Sequence, residues 1–178
     1  VLTTRLAALH FAATDGAAAN LEREGVPRRN IAVTGNSGID AVLYVRDALA
    51  GGRLQAPDWP WLDPAKRLVL VTAHRRESFG EGLQHICAAL AQLGRRGDVQ
   101  IVYPVHPNPN VREPVLDSLG GAPNVTLLDP LDYVPFVDLM RQAYLLLTDS
   151  GGVQEEGPSL GNFFFNETAT TEIYTLSL

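Results

Sequence analysis

Two histidines, an arginine, a serine and a pair of glycines stand directly after short apolar runs in this sequence. His74 and Arg75 follow Arg67 to Ala73, His106 follows Val99 to Val105, and Ser150, Gly151 and Gly152 come just beyond Ala143 to Thr148. An imidazole exchanges a proton near neutral pH, so His74 can polarise a phosphate or a leaving group; the alternative is a hydrogen-bonded structural histidine. A Gly pair lets an anion approach the main chain without Cβ atoms in the way. If a helix starts there, its free N–H groups and positive end face that anion. The Ser150 hydroxyl adds a donor. Glu155 and Glu156 lie in the helix expected to follow, where one of them can accept both hydrogen bonds of a ribose diol. The same residues also make sense as a tight turn followed by solvated glutamates, and a Gly loop this short does not decide between the two. Arg75, Arg76 and Glu77 read equally well as an ion-paired surface turn.

These residues need elements to position them. Arg67 to Ala73 is a nearly continuous apolar strand, the form taken when both faces are buried in a parallel sheet. Gly82 to Leu93 is a helix with Leu83, Ile86, Cys87, Leu90 and Leu93 on one face. Val99 to Val105, Asn124 to Leu128 and Ala143 to Thr148 are further strands; Val111 to Leu119 and Tyr133 to Arg141 are the helices between them. This alternation predicts an α/β fold with a doubly wound parallel, Rossmann-like sheet. In such a sheet ligands bind beyond the carboxyl ends of the strands, where His74, Arg75, His106 and Ser150 to Gly152 would converge. Upstream, Ala17 to Gly25 and Ile39 to Leu49 read as helices, with a short strand over Asn30 to Thr34. Residues 51–66, rich in Gly, Pro, Asp and Trp, read as a linker, with Trp59 and Trp61 as packing anchors. The expected organisation is therefore residues 1–50 as the end of one domain, 51–66 as the linker, 67–161 as a nucleotide-binding domain and 162–178 as a tail.

The totals exclude several classes. With 46% hydrophobic residues among 178, the chain has enough apolar material for a core. No apolar run approaches the roughly 20 residues of a membrane-spanning helix, so no membrane partner is expected. The net charge of -6 argues against a nucleic-acid partner. Cys87 has no second cysteine to pair with, which fits a reducing, cytoplasmic setting. His85 and Cys87 point to different faces of their helix, one to the surface and one to the core, and no His spacing suits zinc, so no metal or other cofactor is expected. From Asn162 onward the composition changes: three of the six Phe and several Thr occur there. That break fits a shifted reading frame or a tail of cloning origin better than the alternative, an edge strand over Phe163 to Phe165.

Taken together, Thr72 to Gly80, Tyr103 to Pro114 and Asp149 to Gly161 resemble the non-hydrolysing bacterial UDP-N-acetylglucosamine 2-epimerases. His10 to Thr14, Val33 to Asn36 and Ile39 to Ala41 match in the right order, so the resemblance covers about residues 3–161. It implies the C-terminal half of a two-domain GT-B glycosyltransferase-like fold, a UDP-sugar substrate and a homodimer. It further implies interconversion of UDP-N-acetylglucosamine and UDP-N-acetylmannosamine by elimination and re-addition of UDP. By position, Ser150, Gly151 and Gly152 would hold the diphosphate, Glu156 the ribose and the main chain around Phe136 the uracil. His74 would assist the departing UDP, while Arg75 and His106 match positions that touch a second, activating UDP-sugar in some members. The acidic residues credited with proton transfer at C2 belong to a further N-terminal domain in that family. The 178 residues alone are therefore expected to be truncated at both ends and to lack epimerase activity. The other readings are the donor-binding half of a GT-B glycosyltransferase and a non-catalytic UDP-binding remnant.

Overall fold

Unbroken burial along Arg67–Thr72 shows why this segment is a central strand: Leu68, Val69, Leu70 and Val71 are all buried, so neither face of the pleat meets water. The computed structural model describes residues 2–75 and 79–166. Its elements in chain order are α1 (Leu2–Leu6), β1 (His10–Ala12), α2 (Asp15–Arg23), a 3-10 turn (Arg28–Asn30), β2 (Ile31–Val33), α3 (Ser37–Ala50), β3 (Arg67–Thr72), α4 (Glu81–Leu93), β4 (Val99–Pro104), α5 (Pro109–Leu119), β5 (Val125–Leu128), α6 (Tyr133–Gln142), β6 (Leu145–Thr148), α7 (Gly151–Ser159) and β7 (Phe163–Asn166). The chain divides into two compact units between Val42 and Leu43, inside α3, earlier than the Gly- and Pro-rich stretch where the sequence suggests a linker.

In the first unit β1 and β2 pair in parallel, with His10 opposite Ile31. Ala12, Ala18, Val26 and Ile31 form its small core. Thr14 caps α2 by accepting a hydrogen bond from the Ala17 N–H at 3.1 Å, the usual device for the orphan donors of a first turn.

The second unit is a five-stranded, all-parallel sheet in the order β5-β4-β3-β6-β7. Successive strands step outward from β3 to β5; the chain then returns to the other side of β3 and steps outward again through β6 and β7. The sheet is thus doubly wound, as the strand–helix alternation predicts. Val69, Val71, Ile101 and Tyr103 pack with Leu83, Ile86, Cys87 and Leu90 of α4 and Val111, Val115 and Leu119 of α5. The alternate residues Leu68, Leu70, Val102 and Leu146 are also buried, together with Val137, Leu139 and Met140 of α6. Each such fully buried aliphatic side chain contributes roughly 1.5–3 kcal/mol. Cys87 lies in this core and His85 is exposed, as their helix positions suggest.

Residues 51–66, themselves part of the second unit, form no helix or strand, but side chains fasten them to its sheet and helices. The Trp59 indole N–H donates to Asp138 Oδ2 at 2.7 Å, and Trp59 packs edge-on against Trp61. The Asp63 main chain exchanges two hydrogen bonds with the Gln100 side chain, and Lys66 Nζ donates to Asn124 Oδ1 at 2.7 Å. Of the two readings of the chain beyond Asn162, the structure contains the strand: β7 runs parallel to β6, with Phe163 opposite Leu145 and Asn166 opposite Thr148. The remainder of the tail, with Arg76 and Glu77, lies outside the described residues.

Candidate nucleotide site at the switch point

Parallel strands put all their carboxyl ends on one edge, so the loops after Thr72, Pro104 and Thr148 share a rim. The winding reverses between β3 and β6, the one place in this sheet where two adjacent loops diverge to opposite faces and leave a crevice. His74 and Arg75 leave β3 there, and Asp149 and Ser150 leave β6.

Side chains lock the two loops together. Thr72 Oγ1 and Thr148 Oγ1 lie 2.6 Å apart across the β3–β6 pair. The Ser150 N–H donates to Thr148 Oγ1 at 2.9 Å. Asp149, only 2% exposed, accepts the main-chain N–H groups of both His74 and Arg75 on Oδ2, each at 2.7 Å. From β4, the buried Tyr103 hydroxyl donates to the Ala73 carbonyl at 2.6 Å, tying down the residue before His74. The His74 and His106 rings stack at 5.4 Å between centroids and 10° between planes. His106 Nδ1 accepts from the Asn108 N–H at 3.2 Å, which puts the proton of the neutral ring on Nε2.

Ser150 is the N-cap of α7, yet its hydroxyl makes no capping bond. The first N–H groups of the helix, at Gly151, Gly152 and Val153, have no carbonyl of the helix to meet. The Arg75 guanidinium reaches this helix start, since a Cβ built on Gly151 would stand 3.4 Å from its Nη2. A helix N-terminus, two glycines, a serine hydroxyl and a guanidinium thus meet in one place, an arrangement that suits an anion with several oxygens. Glu156 lies a turn further along α7, where burial, and then the charge of Glu155, holds its carboxyl above the ordinary range. Tyr133, the first residue of α6, feels that carboxylate: burial and then Glu156 push its phenol upward. Phe136, half-buried in the first turn of α6, uses its own N–H on the Asp132 carbonyl at 3.1 Å. The start of α6 and the second turn of α7 therefore border the same space.

The structure thus gathers His74, Arg75, His106, Ser150, Gly151 and Gly152 on one rim, with Phe136 and Glu156 on the helices that flank it. Sequence reasoning passed over Asp149, Thr72, Thr148 and Tyr103, which hold the loops. The available signal is that each threonine ends its strand two residues before a candidate residue, Thr72 before His74 and Thr148 before Ser150. Asp129, at the end of β5, is engaged by Arg112 at 2.8 Å. Among the described residues no three His, Cys, Asp or Glu side chains gather as a metal would need, and no helix is long and apolar enough to cross a membrane.

Fold and rim together define an α/β protein of the doubly wound, GT-B-half type with an anion-ready crevice at its switch point. A profile of the UDP-N-acetylglucosamine 2-epimerase family matches residues 1–172, and the chain belongs to that family. It is 53% identical over 176 residues to the UDP-N-acetylglucosamine 2-epimerase of Salmonella typhimurium, an alignment covering 96% of this chain and 47% of that protein. The chain therefore spans about half the length of the curated relatives it matches. The solved UDP-GlcNAc 2-epimerase of Neisseria meningitidis bound to UDP-GlcNAc superposes with a TM-score of 0.85 at 38% identity, over 93% of this chain and 46% of that one. The Methanocaldococcus jannaschii enzyme in complex with UDP-GlcNAc and UDP gives 0.71 at 27% identity, over 96% and 49%.

Proposed function

We propose that this chain supplies the uridine-diphosphate-binding half of an enzyme that interconverts UDP-N-acetylglucosamine and UDP-N-acetylmannosamine. The observation that carries this reading is the meeting of the His74, His106 and Ser150–Gly152 loops at the switch point. In the proposed arrangement residues 67–161 form the nucleotide-binding domain. Ser150 and the N–H groups of Gly151 and Gly152 hold the diphosphate, Glu156 accepts the ribose hydroxyls and the main chain near Phe136 meets the uracil.

The reaction fits such a rim. Removal of the C2 proton and cleavage of the C1–oxygen bond release UDP and leave a 2-acetamidoglucal. Return of a proton to the opposite face of C2, with the phosphate oxygen re-forming the C1 bond, completes the inversion. The charge that develops on the departing diphosphate falls at a helix N-terminus beside an imidazole, where fixed donors act most strongly. Arg75 and His106 are assigned to a second, activating UDP-sugar, an assignment supported by the presence of both UDP-GlcNAc and UDP in the Methanocaldococcus complex. No residue here is assigned the proton transfer at C2, so the polypeptide alone should turn over no substrate. The working assembly is proposed to be a cytoplasmic homodimer, for which the lone, buried Cys87 supports the reducing setting.

Isothermal calorimetry with UDP tests the reading. Micromolar binding that is lost in both Ser150→Ala and Glu156→Ala is expected. Absence of heat, or binding indifferent to both substitutions, refutes it.

A further inference from the structure

Asp149 carries an unexplained feature. Its Oδ2 accepts two main-chain N–H groups, but its Oδ1 accepts no hydrogen bond although the residue is 2% exposed. A buried carboxylate oxygen without a donor is costly, and the interior rarely leaves one so. His74 Nδ1 stands 3.5 Å from that oxygen, a gap that a small rotation of the imidazole closes.

We propose that Asp149 is a positioning residue for His74: the carboxylate orients the imidazole, keeps its proton on Nδ1 and leaves Nε2, on the far side of the ring, to meet the ligand. This rests on the reading of the rim as a diphosphate site. A carboxylate accepts and never donates, so a ring nitrogen facing it must carry hydrogen. The stack against His106 resists a ring flip that would put Cδ2 in place of Nδ1 beside Asp149. His106 does not supply that donor: Asp149 Oδ1 accepts no hydrogen bond, and the His106 Nδ1 accepts from the Asn108 N–H. Arg75 donates its main-chain N–H to Oδ2 while its guanidinium lies over Gly151. One side chain therefore clamps the loop through Oδ2 and aims the imidazole through Oδ1.

Asp149→Asn separates these two tasks. Its amide oxygen can still accept both main-chain N–H groups, but its NH2 group would face His74 Nδ1 and force that nitrogen to become the acceptor. The test is nitrogen NMR of the 178-residue chain with labelled histidine, at a pH where the rings are neutral, the His74 signals being assigned by their loss in His74→Asn. The expected result is a proton on Nδ1 in the unsubstituted protein and on Nε2 in Asp149→Asn, with UDP affinity falling about tenfold, the size of one charge-assisted hydrogen bond. A His74 proton on Nε2 in the unsubstituted protein overturns the proposal, and that measurement stands even if the variant fails to fold. An unchanged tautomer in a folded variant overturns it too. A tautomer exchange in a protein that binds no UDP upholds the positioning and removes only the diphosphate reading.

Discussion

Removing one oxygen atom, in Tyr103→Phe, should loosen the rim from below. The ring is 0% exposed and its hydroxyl donates to the Ala73 carbonyl at 2.6 Å, one residue before His74. Phe fits the same space, so the change leaves a void smaller than a methyl group but deprives a buried carbonyl of this donor; Ala73 is itself only 2% exposed. An unmatched buried polar group costs about 1–3 kcal/mol. For a chain of this size each kcal/mol lowers the melting temperature by roughly 2–4 °C, so a mid-range loss of about 2 kcal/mol predicts a drop of about 4–8 °C. Urea denaturation and calorimetric melting measure it, with Tyr44→Phe as the control. Tyr44 is 62% exposed and its substitution should stay within about 0.5 kcal/mol. UDP affinity should weaken in Tyr103→Phe while the far-ultraviolet spectrum stays the same. Equal melting of the two variants would refute the idea that this hydrogen bond anchors the His74 loop.

Gly157→Ala places a Cβ 2.6 Å from Leu146 Cδ1 on β6. The overpacking costs about 1–3 kcal/mol, of which the roughly 1 kcal/mol that Ala gains over Gly in a helix offsets only a part at mid-range; a urea midpoint that rises instead contradicts the close packing of α7 on β6. For Glu156→Gln the sign follows from the raised carboxyl. The folded protein holds that proton to higher pH than the unfolded chain, so the favourable contribution is present in acid and is lost as pH rises through the raised value. The Gln variant should therefore melt higher than the parent at neutral pH, lose that advantage in acid, and bind UDP more weakly. A neutral-pH melting temperature below the parent's would contradict this.

Much of the second unit is legible one residue at a time. Leu68 to Val71 read as a doubly buried strand because burial on both faces demands an unbroken apolar run, and Leu83, Ile86, Cys87 and Leu90 read as a helix face because their spacing admits no other arrangement. The chain likewise shows that His74, His106 and Ser150 follow strands, which in a parallel sheet commits them to one edge. Other features depend on contacts between distant residues that no local pattern encodes. Strand order decides that β6 rather than β5 lies beside β3, and only that neighbour brings Asp149 beneath the main chain of His74 and Arg75. Periodicity says nothing of Tyr103 reaching Ala73, of Trp59 reaching Asp138, or of two imidazoles lying face to face. The run from Asn162 shows the limit most plainly. Its composition argues against the sheet, yet Phe163–Asn166 forms a strand, because an edge position beside β6 offers unpaired main-chain donors and acceptors that almost any extended segment can satisfy.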